Sequence, residues 1–155
     1  MGLFVTAVCS MDPIRLIRDK TELQGTCYFE FLPGPYRNKC WNDGSVYLAE
    51  DVFGLIESII ERHEPRFDHF SFVGIRRTAW RRIVIDLDQL AKAADNAKHV
   101  GDLRDKIGFI YEPSEAEFAR DFRANSDSLA QLARALADWI WQQVQEHECI
   151  TVLGI

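Results

Sequence analysis

The sequence predicts an α+β fold: a single domain over residues 1–155, with a mixed or mostly antiparallel sheet packed against about four to five helices and strands contributed by both chain ends. Three observations point there. Apolar residues recur at three- and four-residue steps in several segments, the mark of amphipathic helices, while short β-branched or aromatic runs stop at Pro, Gly, Asn or Asp, the mark of strands. Of the 155 residues 47% are hydrophobic, enough for a substantial core. No linker, repeat or low-complexity tract divides the chain.

Taken in order, Leu3 to Cys9 is apolar and β-branched and reads as a strand. Asp12-Pro13 offers a cap and a residue preset for a first helical turn, which predicts a short helix to about Lys20. Thr26 to Leu32 alternates with aromatics and reads as a strand ended by Pro33-Gly34-Pro35. Asn42-Asp43-Gly44 is a turn leading into the short strand Val46 to Leu48. Val52, Phe53, Ile56, Ile59 and Ile60 form the stripe of a helix from Ala49 to His63, which Glu64-Pro65 closes. Phe70 to Ile75 and Arg82 to Leu87 read as two strands of a hairpin, and Asp88 as the cap of a helix to about Lys98. Lys106 to Tyr111 is compatible with a strand, and Ser114 with Glu117 makes a capping box for a helix carrying Phe118 and Phe122. Leu129, Leu132, Ala133, Leu136, Ile140 and Val144 mark the last helix, with Ser126 or Asp127 as its cap. Cys149 to Leu153 is a terminal strand.

Composition narrows the function. The formal net charge of −6 argues against non-specific binding to nucleic acid or an anionic membrane, so nucleic acid is an unlikely partner. No apolar run reaches the roughly 20 residues a spanning helix needs. Leu3 to Cys9 lacks the preceding basic residues of a secretory signal. Met1-Gly2 with Thr6 fits a myristoylation pattern, but the same residues read well as a buried strand. Cys9, Cys27, Cys40 and Cys149 form no Cys-x-x-Cys pair, so reduced, buried thiols in a cytoplasmic protein are expected, with no metal and no cofactor.

The charge is unevenly distributed. Glu50, Glu57, Glu61 and Glu64 fall along one helical stripe, and residues 49–75 hold six acids against two bases, a net of −4. Such a ridge is either a solvated face or a surface that meets a basic partner. Residues 76–82, Arg76-Arg77-Thr78-Ala79-Trp80-Arg81-Arg82, carry a net of +4. Arginines around an aromatic can hold phosphates and stack bases. The simpler expectation is that they pair with neighbouring acidic helices and lie over Trp80. Asp86 and Asp88 would share a face if they sat on a strand, where two carboxylates can hold a divalent cation, the basis of an alternative reading as a small metal- or nucleotide-dependent enzyme using Asp86, Asp88 and the Arg76–Arg82 segment. His63 continues an apolar stripe and is expected to be part-buried and hydrogen-bonded. No His-Glu-x-x-His, Gly-x-Ser-x-Gly or phosphate-binding glycine loop is present, so the chain is not expected to be an enzyme. Trp141 lies about 120° from the centre of its helix stripe, and Trp41 sits in a polar loop, which makes both candidate interface anchors.

A short acidic chain that opens with Met1-Gly2-Leu3-Phe4-Val5 and ends with Asp138-Trp139-Ile140-Trp141 running to Cys149-Ile150-Thr151-Val152-Leu153 resembles bacterial immunity proteins. These are the antitoxins of contact-dependent inhibition and other polymorphic toxin systems. The resemblance implies tight one-to-one binding to a cognate toxin domain, frequently a nuclease, whose basic active-site surface the acidic face would cover. On that expectation Glu50, Glu57, Glu61 and Glu64 make the contact, anchored by Trp41 and Trp141.

Overall fold

The computed structural model describes residues 11–155. The strand expected at Leu3 to Cys9 lies outside the described residues. Four strands, β1 (Tyr28–Pro33), β2 (Val46–Ala49), β3 (Phe72–Arg76) and β4 (Cys149–Leu153), form one antiparallel sheet in the order β2-β1-β4-β3. Among the described residues five α-helices, α1 (Glu50–Gly54), α2 (Glu57–His63), α3 (Arg77–Asn96), α4 (Glu112–Arg120) and α5 (Phe122–Glu146), complete a single α+β domain. The strand nearest the C-terminus, β4, lies inside the sheet, flanked by β1 and β3.

Strand alternation sorts β1 onto two faces. Phe29 and Phe31 meet the helices: Phe29 stacks on Phe53 of α1 at 3.8 Å, and Phe31 lies 6.0 Å from Trp80 of α3. Trp80 is fully buried, and its indole N–H donates to the Ile150 carbonyl at 3.2 Å, tying α3 to β4. On the opposite face, the loop after β1 folds back over Glu30. This fully buried carboxylate accepts from Trp41 N (2.6 Å), Asn42 N (3.0 Å), Asn42 Nδ2 (2.9 Å) and Ser45 Oγ (2.6 Å). Four donors replace the water that the charge lost on burial. Burial and the nearby Glu30 charge push the Tyr47 phenol up to about 12, and its hydroxyl donates to the Asn42 carbonyl at 2.6 Å.

The two long helices pack through small residues, with Ala91 and Ala94 of α3 and Ala130, Ala133 and Ala137 of α5 all buried. Ser126 Oγ donates to the Ala94 carbonyl at 2.7 Å, and Arg123 donates to the carbonyls of Ala94 (2.8 Å) and Ala97 (2.7 Å), satisfying the C-terminal end of α3.

Several expectations are corrected. Residues 11–19 are not helical: Ile17 instead bridges Tyr47 on the edge of β2, with backbone bonds of 3.0 and 2.8 Å, and only Lys20–Glu22 forms a short 3₁₀ turn. The helix expected from Ala49 to His63 is broken at Leu55 and Ile56. A Cβ at Gly54 would come within 2.5 Å of the Ile110 side chain, so α1 ends where another segment crosses close over it. Arg82 to Leu87 is not a strand but part of the 20-residue α3, because Trp80, Ile83, Leu87, Leu90, Ala91 and Ala94 continue one buried helical stripe. Lys106 to Tyr111 carries no strand. Ser114 is buried in the first turn of α4 rather than capping it, and the Glu117 carboxylate accepts the Met11 N–H instead. Ser126 and Asp127 lie within α5, which begins at Phe122. Cys27 and Cys40 are exposed and Cys149 is half-buried; all three are free thiols. Among the described residues no helix is long and apolar enough to cross a membrane.

Candidate functional site

β2 runs directly into α1, which places Glu50 and Asp51 in the first helical turn, where the unpaired N–H groups and the helix dipole favour carboxylates. From that position Glu50 Oε1 lies 3.0 Å from His69 Nε2, while Glu57, at the start of α2, places Oε1 2.8 Å from His69 Nδ1. The Tyr111 hydroxyl donates to the other Glu50 oxygen at 3.0 Å. Edge contacts from Phe29 (4.7 Å) and Phe70 (4.9 Å) hold the His69 ring in place. With a carboxylate on each ring nitrogen, the arrangement is best satisfied when both nitrogens donate, which is the imidazolium form. Partial burial pulls the His69 pKa down, but bonds to Glu50 and Glu57 and their charges outweigh it and hold it above its ordinary 6.5. Burial raises Glu57, against the lowering effect of the His69 bond.

Beyond Glu50 opens a cleft of about 330 Å³ lined by Met11, Asp12, Cys27, Glu50, Asp51, Tyr111, Pro113 and Ser114. Three of these are acids and none is a base. Asp51, nearly buried, accepts from Asp12 N at 2.8 Å and from Val52 N at 2.9 Å. Burial first, then the Asp51 charge and its hydrogen bond, raise the Asp12 carboxyl above its usual range. The geometry suits a cation or a basic side chain entering from outside, since no Lys or Arg stands among the described lining residues and only His69, behind Glu50, is positive nearby. Among the described residues no three His, Cys, Asp or Glu side chains are grouped to hold a metal ion.

The expected residues are thus only partly brought together. Glu50 and Glu57 converge on His69. Glu61 is exposed on α2. Glu64 is buried beside Arg66, whose guanidinium Nε donates at 2.8 Å and lowers its pKa. Trp141 is half-exposed, far along α5. Trp41 is half-buried in the loop over Glu30, at positive φ (61°), against Tyr28 (6.3 Å) and Tyr47 (5.9 Å). Asp86 and Asp88, on a helix rather than a strand, lie about 200° apart and do not share a face. Asp86 instead receives Arg62 at 2.8 Å and meets the part-buried His63 at 2.7 Å. The arginines of 76–82 do not pair as expected: among the described residues none of Arg76, Arg77, Arg81 or Arg82 makes an ion pair within 4.0 Å. Nor does Trp80 provide a surface for them, being fully buried.

His69, Tyr111, Asp12 and Asp51 escaped the sequence reading because their partners lie 12 to 61 residues away in the chain. The one available signal was acidic: Glu50-Asp51 adjoining the start of an apolar stripe. Comparison with protein-family models, curated proteins and solved structures gives no match.

Proposed function

We propose that this chain is a non-catalytic binding protein of the immunity type, acting in the cytoplasm to neutralise a cognate toxin domain by covering its basic surface. The observation that carries the reading is the cleft at the head of α1, where Asp12, Glu50 and Asp51 present three carboxylates and no Lys or Arg stands among the described lining residues. His69 meets Glu50 from one side, and a lysine or arginine from the partner supplies the further positive charge. Exposed Glu61 extends the same acidic end outward along α2. Free Cys27, Cys40 and Cys149 accord with a reducing compartment.

The test begins with the protein that co-purifies with the chain from native cells, whose affinity is measured by calorimetry for the parent, Glu50→Lys and Glu61→Lys. Each substitution weakens the complex by roughly tenfold or more. Glu61→Lys, at an exposed position, leaves the melting temperature unchanged. Parental affinity in both variants removes the acidic end from the interface.

A further inference from the structure

The opposite edge of the sheet carries features that an acidic cleft does not explain. Among the described residues β3 pairs only with β4. Ser71 O accepts from Gly154 N, and Arg77 N donates to Glu148 O, so the odd-numbered residues direct their peptide groups at β4. Antiparallel alternation therefore aims the N–H and C=O groups of Phe72, Gly74 and Arg76 outward. The same three residues are exposed, while Ile75 between them is buried. Phe72 is 45% exposed and the preceding Phe70 75%, with the Tyr36 ring packed 4.9 Å from Phe72. Past Arg76 the chain enters α3, gathering Arg77, Arg81 and Arg82 where the helix dipole is already positive and no acid stands in the first turn.

We propose that β3 receives an extended acidic segment of a protein partner as a fifth strand. Charge guards on an edge strand are common, and Arg76 alone would fit that role. Phe70 and Phe72 do not, because exposed aromatics on an open edge favour pairing. A strand added antiparallel to β3 meets every feature at once. Its backbone bonds the outward groups of Phe72, Gly74 and Arg76, and a large residue fills the space that Gly74 leaves. An apolar residue lies beside Phe72, and acidic residues reach Arg76 and the arginines of α3. Single-stranded nucleic acid would use the arginines and aromatics but cannot form a peptide ladder with the strand edge. This proposal stands independently of the acidic cleft.

The probe is the peptide acetyl-Asp-Glu-Thr-Tyr-Thr-Ile-amide, added to the full chain and followed by fluorescence anisotropy and by amide hydrogen exchange. In the free protein the amides of Phe72, Gly74 and Arg76 exchange fast while those of Val73 and Ile75 are slow. Saturating peptide slows the first three and leaves the other two unchanged. Replacing Asp-Glu by Lys-Lys in the peptide, or making Arg81→Glu with Arg82→Glu in the protein, weakens binding by roughly tenfold or more. The proposal is overturned if those three amides are already slow in the dilute free protein, since the chain then covers its own edge. It is equally overturned if they slow with protein concentration alone, which makes the occupant a second copy. Binding of a thymidine oligonucleotide at the arginines with no amide protection by the peptide assigns the surface to nucleic acid and also overturns it.

Discussion

The carboxylates at the head of α1 and the arginines at the head of α3 differ in how the fold treats them. Glu50 and Glu57 meet a histidine, and Glu30 is enclosed by four donors. Arg76, Arg81 and Arg82 are exposed and make no ion pair among the described residues. A chain of net charge −6 thus places on its surface a patch of the minority sign whose members make no ion pair among the described residues, with only Arg76 acting at longer range on the Glu64 carboxylate. Glu30 and Glu57 stabilise the fold, so their removal shows first as lost stability; Arg81 and Arg82 make no ion pair that holds the fold among the described residues, so their removal shows as lost binding.

The largest expected effect that tests this contrast is at Glu30. Glu30→Ala leaves buried donors without an acceptor and costs about 3–5 kcal/mol, read from urea denaturation. A cost below about 1 kcal/mol would sink the idea that this carboxylate holds the loop. His69→Leu comes next, at about 1–2 kcal/mol, because Glu50 and Glu57 then face each other without the ring between them. The pH dependence follows from the same contact. His69 is raised in the folded state, so its contribution is fully present below its unfolded value near 6.5 and is lost as pH rises through the raised value. Glu57 is also raised and acts in the same direction from its ordinary 4.5 upward. Unfolding free energy therefore falls as pH rises above the ordinary histidine value of 6.5, and the slope there shrinks in His69→Leu. An unchanged slope in that variant assigns the effect elsewhere. The smallest effect has the opposite sign: Arg76→Asp stabilises by about 0.5–1 kcal/mol, because the N-cap of α3 has no side-chain bond and its dipole favours an acid. A variant that gains stability while losing the acidic peptide would separate folding from binding most cleanly.

Legibility in the sequence follows the range of the interactions. β1, β2, β4 and the body of α5 were readable because turn formers and periodicity are local signals. Ile83-Val84-Ile85 was misleading: three β-branched residues favour a strand, but Ile83 and Leu87 bury along the stripe that begins at Trp80 while Ile85 is left exposed. Asp12-Pro13 gave a helix signal that lost to two long-range demands, the Asp51 carboxylate on the Asp12 N–H and the β2 edge on Ile17. The acidic stripe does not form as one helical face, since its alignment assumed one continuous helix where Gly54 admits a crossing segment, and Glu64 is buried past the end of α2. His69 offered no local cue at all.

The position of β4 has a consequence for synthesis. It makes two of the three strand pairings, yet it follows every other element in the chain. While the ribosome is still translating α5, β1 and β2 can join as a hairpin, but β3 has no strand neighbour among the described residues and Trp80 lacks the Ile150 carbonyl. The sheet closes only after the last strand has cleared the exit tunnel. A premature stop between the end of β3 and Cys149 therefore leaves the β1–β2 hairpin and β3 with no strand between them among the described residues, and quality control meets an aggregation-prone chain rather than a shortened native one.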